Sequence, residues 1–138
     1  MSQLEVVQIP CLSDNYGYLV HDSESKLTAS IDSPALDPIE EALRQNGWVL
    51  THIFNTHHHY DHTGANLELK KRWKCKIIGS EKDSDRIPGL DEGVNDQEIF
   101  SFGNNEVKVF DVSGHTIGHI SFYFPREEKL FCGDALFA

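Results

Sequence analysis

Short stretches of alternating apolar and polar residues open the chain, and longer apolar runs follow, separated by segments with helical spacing. Leu4 to Ile9 and Tyr16 to Val20 alternate as strands do, with the turn-forming Ser13-Asp14-Asn15 between them. The polar stretch Asp22 to Lys26 predicts a hairpin loop, and Leu27 to Ile31 a third strand. Asp37-Pro38-Ile39-Glu40 has the make-up of a helix start. Asp37 suits the cap, Pro38 the first helical position and Glu40 the third. Ile39 and Leu43 then share one face, and Gly47 ends the helix. Trp48 to Phe54 reads as a strand running straight into a histidine cluster. A second helix is predicted over about Gly64 to Lys74, with Leu67 and Trp73 turned inward and Lys70, Lys71 and Arg72 shown to water. A short strand, Lys76 to Gly79, follows. Ser80 to Asp96 is polar, acidic and glycine-containing, which predicts a loop or at most a short helix, and its length favours a functional or rim role. Four more short strands are expected near Glu98, Val107, Ser121 and Leu130. Strands first, then strands alternating with helices, then further hairpins predict an α/β chain of layered, mixed sheet and helix.

Composition narrows this picture. A chain of 138 residues is expected to form one domain, 1–138, large enough to bury a sizeable core. Twelve Lys and Arg against 22 Asp and Glu give a formal charge of −10. Such a field repels polyanions, which argues against nucleic acid and anionic membrane surfaces as partners. Bound divalent cations would offset part of it. Cys11, Cys75 and Cys132 are odd in number, far apart and without a C-x-x-C spacing, as expected for a reducing compartment. The start, Met-Ser-Gln-Leu-Glu, has neither a basic nor an apolar leader region, and no stretch approaches the ~20 apolar residues of a membrane span. The cytoplasm is the expected location.

Three motifs carry chemistry. Thr56-His57-His58-His59-Tyr60-Asp61-His62 lies where a buried strand ends. Imidazole and carboxylate are the donors that a borderline divalent metal prefers. His57 and His59, two apart in an extended segment, project to one side. Asp61 and His62 follow as the chain turns into a helix, so one loop can serve two adjacent metal positions. Gly114-His115-Thr116-Ile117-Gly118-His119 comes after another apolar strand and places His115 in a tight turn, a suitable third imidazole. His119 opens the next strand, where a structural role or support of a ligand by hydrogen bonding is expected. Gly133-Asp134 ends the strand Lys129 to Cys132, and a carboxylate there can bridge two cations. Asp32, after the third strand, suits either the orientation of a ligand by hydrogen bonding or an ordinary turn with Ser33-Pro34. His21 and His52 are expected to be solvated or packing residues.

T-H-x-H-x-D-H, a later single histidine and a Gly-Asp after a strand resemble the metallo-β-lactamase superfamily. Fuller segments are similar to its glyoxalase II branch. They are T-H-H-H-Y-D-H-T-G-A-N, L-S-D-N-Y-G-Y at Leu12 to Tyr18, I-P-G-L-D near Ile87, G-H-T-I-G-H-I, and F-C-G-D-A-L-F at Phe131 to Phe137. The resemblance implies an αβ/βα sandwich, truncated here, with helices on the outer faces of mixed sheets. It implies that His57, His59 and His115 hold one metal, that Asp61 and His62 hold a second, and that Asp134 bridges. Zinc is the first expectation, and iron or manganese suits the same donors. A water or hydroxide between the ions is then the nucleophile, with Asp61 and Asp134 among the groups that hold it in place. It attacks the thioester carbonyl of an S-acylglutathione, typically S-D-lactoylglutathione, and releases glutathione and a hydroxy acid. No Ser or Cys nucleophile is required, and Cys132 is expected to be an inert core thiol.

The sequence ends inside a family motif, at Leu136-Phe137-Ala138. In the family a further histidine that completes the second metal site and a helical glutathione-binding domain come later. A second site incomplete in this chain is therefore expected. The alternatives are a non-catalytic metal-binding fragment, as from an incomplete gene product, or a persulfide dioxygenase with a single iron. His58 and the Asp14-Asn15-Tyr16 run favour glyoxalase II over the latter.

Overall fold

The computed structural model describes residues 4–11, 15–112, 119–132 and 135–137, with backbone alone for Asn15, Tyr60, Asp61 and Ala135–Phe137. Two sheets lie face to face. The first runs β1 (Leu4–Cys11), β2 (Asn15–Asp22), β3 (Leu27–Ile31), β4 (His52–Phe54), β5 (Lys76–Ser80) and β6 (Glu92–Val94), in that spatial order. Its first three strands pair antiparallel, and β3 to β6 pair parallel. Parallel neighbours need crossover connections. Helix α1 (Leu36–Asn46) supplies the one between β3 and β4, and α2 (Tyr60–Thr63) with α3 (Asn66–Trp73) the one between β4 and β5. The second sheet is an antiparallel meander of β7 (Ile99–Phe102), β8 (Asn105–Asp111), β9 (Ile120–Phe124), β10 (Lys129–Cys132) and β11 (Ala135–Phe137). The layered α/β class expected from the sequence is what forms.

Strand alternation divides the apolar residues between two cores. Val20, Ala29, Ile31, Phe54 and Ile78 of the first sheet meet Phe102, Val107, Val109, Phe122, Phe124 and Phe131 of the second. On the opposite face, Leu19, Ile53 and Ile77 pack with Ile39 and Leu43 of α1 and Leu69 of α3. Gly47 caps α1 in the left-handed conformation at φ 68°, as its sequence position predicts.

Several local expectations are corrected. The helix α1 begins at Leu36 with Ala35 as its cap residue, so Asp37 sits inside the first turn instead of capping it. Its charge still favours the positive end of the helix dipole. The strand predicted over Trp48 to Phe54 is confined to His52–Phe54. Leu67 is 60% exposed, and Leu69 is the apolar residue of α3 that is fully buried. Lys70 is not simply solvated: its Nζ donates to Gly89 O and to Asp91 Oδ1, at 2.8 and 2.7 Å. The acidic loop contains a 3-10 turn, Glu81–Asp83, and the strand β6. Cys132 is half-buried on the outer face of the second sheet, not in its core.

Candidate metal centre

Strands β3, β4 and β5 are parallel neighbours, so their carboxyl ends open on one edge of the sheet. Ligand sites of open α/β sheets form at such edges. Asp32 follows β3, Asn55 to His59 follow β4, and the turn Glu81–Asp83 follows β5. The second sheet joins the same edge through a backbone hydrogen bond from Ile120 N to Thr56 O at 2.8 Å.

Asp32 is fully buried and adopts a positive φ of 64°, a conformation Asp enters more readily than most residues. Its Oδ1 accepts from Thr56 N at 2.7 Å, and its Oδ2 accepts from Thr56 Oγ1 and His62 Nδ1, each at 2.8 Å. This carboxylate therefore ties the strand end to the start of α2. Asn55 extends the network by donating its Nδ2 to His62 O at 3.1 Å, and it accepts from Asn66 Nδ2 at 2.7 Å. Ser33 donates its hydroxyl to Asn66 Oδ1 and its backbone N–H to His62 O. Asn55, Thr56, Ser33 and Asn66 are all buried, so a satisfied network of this kind fixes the loop in one arrangement.

Three imidazoles come together above it. The His57 ring centroid lies 4.8 Å from that of His59 and 4.0 Å from that of His62. His119 stacks on His57 with centroids 4.5 Å apart. Burial, followed by the neighbouring His62 charge, pushes the His57 imidazole down to about 4. His119 is lowered too, again chiefly by burial. Neutral imidazole is the form that binds a metal. Nδ1 of His62 is committed to Asp32, and Nδ1 of His57 lies 3.1 Å from Thr56 Oγ1. Both arrangements assign the ligating role to Nε2. The donor set thus suits a divalent metal in type and orientation, and His57 in protonation as well.

Among the described residues, no three His, Cys, Asp or Glu side chains close around a point as a complete metal site would. His115 and Asp134 lie outside the described residues, as does the side chain of Asp61. His21 and His52 are packing residues: His21 bonds Thr28 Oγ1 and stacks on Trp48, and His52 lies against Phe54 and Phe102.

Sequence reasoning missed Asn55, Asn66, Ser33 and Asp83. Asp83 is buried, and its Oδ2 lies 2.9 Å from Nδ1 of His58. For Asn55 and Thr56 a signal existed, since polar residues placed directly after a fully buried strand have nowhere to hydrogen-bond except inward. Asp83, in a loop rich in acids, carried none.

Comparison with known proteins bears on the family and the fold. The family model described as the metallo-beta-lactamase superfamily matches residues 23–138. A hydroxyacylglutathione hydrolase of Methylococcus capsulatus is 49% identical over 135 residues, which is 98% of this chain and 53% of that protein. One of Rhizobium etli is 49% identical over 138 residues and 54% of its length. The chain thus spans about half the length of these relatives. Among solved structures, the BLEG-1 B3 metallo-beta-lactamase superposes with a TM-score of 0.82 at 22% identity, covering 97% of this chain and 74% of that one. ETHE1 from Myxococcus xanthus gives 0.70 at 27% identity over 85% of this chain and 53% of its own.

Proposed function

The chain belongs to the metallo-β-lactamase superfamily, and from that premise we propose that it is the metal-holding portion of a thioester hydrolase acting on S-acylglutathione, S-D-lactoylglutathione foremost. The observation that carries this proposal is the convergence of His57, His59 and His62 over the buried Asp32 network. The printed names of relatives at 49% identity supply the substrate class. His57 and His59 with His115 would hold one divalent ion, zinc first among the candidates. Asp61 and His62 would hold a second, with Asp134 between them. Such ions supply Lewis acidity toward a water and toward a carbonyl oxygen.

The chain's own residues do the rest. Asp32 accepts the Nδ1 proton of His62 and so sets both its tautomer and its ring plane. Thr56, held by the same carboxylate through its hydroxyl and its N–H, stands against Nδ1 of His57. His119 stacks on the His57 ring and is one of the neighbours that lower the His57 imidazole, after burial and His62. The formal charge of −10 disfavours an anionic substrate at long range, and bound cations would offset part of that field. Cys11, Cys75 and Cys132 are free thiols, and among the described residues no helix is long and apolar enough to cross a membrane. A reducing, cytoplasmic setting fits the free thiols.

The test is hydrolysis of S-D-lactoylglutathione by the zinc-loaded 138-residue chain, with His59→Ala as control. Turnover that falls at least ~100-fold in the variant is expected. Equal turnover in both would overturn the ligand assignment. Metal retention without turnover in either would make this portion a metal-binding part that is not sufficient for catalysis.

A further inference from the structure

We propose that Asp83 is a positioning residue for the histidine loop, holding His58 from behind so that His57 and His59 present their rings together. This rests on the metal-binding role proposed for that loop. After β4 the chain leaves the sheet through a bend at Thr56. The His57 and His58 ring centroids each lie 4.8 Å from that of His59, so His58 packs directly against a candidate ligand. Whatever fixes His58 fixes the backbone between the two flanking imidazoles.

Asp83 is built to do this. Its side chain is completely buried, and it ends the 3-10 turn directly after β5, the parallel neighbour of β4. Oδ2 accepts from His58 Nδ1 at 2.9 Å, across 25 residues of sequence. Oδ1 faces Arg86 Nε at 3.5 Å, and the Asp83 carbonyl accepts the N–H groups of Arg86 and Ile87 at 2.8 and 3.1 Å. The backbone of the turn is thus braced by its own hydrogen bonds, while among the described residues Oδ1 accepts no hydrogen bond and His58 is the hydrogen-bond partner of the carboxylate. A carboxylate taken out of water is costly unless it is paired, and His58 is the partner placed for it. The same device occurs once more at this edge, in Asp32 and His62. There the gripped imidazole is itself a candidate ligand, whereas His58 passes its restraint on through its ring contact with His59 and through the backbone.

The turn contains its own control. Lys82, next to Asp83, pairs with Asp111 at the end of β8 at 2.8 Å, with the lysine side chain 59% exposed. An exposed pair of this kind fixes little. Asp83 and Lys82 thus compare a buried grip with a solvated one on a single turn.

The experiment measures zinc affinity by chelator competition, and the visible spectrum of the cobalt-substituted site, in the 138-residue chain. Asp83→Ala and His58→Phe are each expected to weaken zinc binding ~10-fold and to alter the cobalt bands, with no further loss in the double variant. Asp83→Asn, which keeps an acceptor for His58 Nδ1, is expected to recover most of the affinity. Lys82→Met is expected to stay within about twofold of wild type. If Asp83→Ala does not fold, Asp83→Asn and His58→Phe carry the test. Unchanged affinity and spectrum in His58→Phe, or strictly additive losses in the double variant, would overturn the proposal. A wild-type chain that binds no zinc would instead overturn the metal-binding role itself.

Discussion

The two sheets are made by the same alternation of side chains, yet only one is apolar on both faces. In the first sheet three of the four central strands offer an apolar residue to either side: Leu19 and Val20 on β2, Ile53 and Phe54 on β4, Ile77 and Ile78 on β5. Helices α1 and α3 close its outer face. In the second sheet Val107, Val109, Phe122 and Phe131 point inward, while Lys108, Ser121 and Tyr123 point outward. Among the described residues no helix covers that outer face. Half-buried Phe110, Tyr123, Leu130 and Cys132 line a hollow of about 480 Å³ there. The difference teaches where chemistry is placed. Parallel strands, buried on both faces, expose only their ends, and the polar loops gathered there become the site. The meander contributes a wall to the shared core and, through Ile120 and His119, one side of the histidine cluster.

The comparison breaks first at the layer that both sheets share. Phe54 meets Phe100 and Phe102 edge-on, at 5.3 and 5.5 Å, and stacks on Phe122 at 5.3 Å. Phe54→Ala removes the first sheet's central contribution to that layer and is expected to cost ~3–5 kcal/mol in urea unfolding. It should also release the Asn55–Thr56 segment that follows it. A cost below ~1 kcal/mol would mean that the two sheets are held together elsewhere.

How much of this was legible in advance differs with the physics involved. Strands with clear alternation, the helix ending at Gly47 and the strand-end position of the histidine motif could be read directly. Leu67 could not be placed correctly, because α3 is short and has few apolar residues to set its phase. Ala65, Leu69 and Trp73, spaced by four, form its inward stripe and leave Leu67 on the far side. Cys132 was misplaced for a related reason: Phe131 takes the core side of β10, and the next residue must face outward. In the site, the structure brings His57, His59 and His62 together over Asp32, while His115 and Asp134 lie outside the described residues. The buried partners Asn55, Asn66 and Asp83 depend on contacts between distant segments, which local pattern does not encode.

A smaller effect sharpens the boundary between the sheets. His52 lies between Phe54 of the first sheet and Phe102 of the second, with ring centroids 5.8 and 5.3 Å away. Burial, then the charge of Lys76, lowers its imidazole below the ordinary value of 6.5, against the opposing pull of Glu92. With the folded value below the unfolded one, the unfolded chain binds more protons as pH falls through 6.5. The contribution of neutral His52 is therefore complete above pH 6.5 and is lost progressively as pH drops toward the lowered folded value. His52→Phe keeps the ring packing and cannot titrate, so the metal-free variant is expected to lose less of its thermal stability than wild type between pH 7 and 5. Identical slopes would show that His52 is solvated in the folded chain. The slope that remains belongs to His21, His57 and His119, each lowered chiefly by burial.

The least costly change is expected on the uncovered face. Leu130 is only half-buried, so Leu130→Ser gives up little burial and should alter unfolding stability by less than about 1 kcal/mol. Leu43 is fully buried beneath α1 on the covered face, and Leu43→Ala should cost ~2–5 kcal/mol. Apolar surface around a hollow of this size favours self-association. Leu130→Ser should therefore reduce concentration-dependent association in sedimentation while leaving unfolding nearly unchanged. A loss as large as that of Leu43→Ala would mean that the outer face of the second sheet is already packed by the chain, and the contrast between the sheets would disappear.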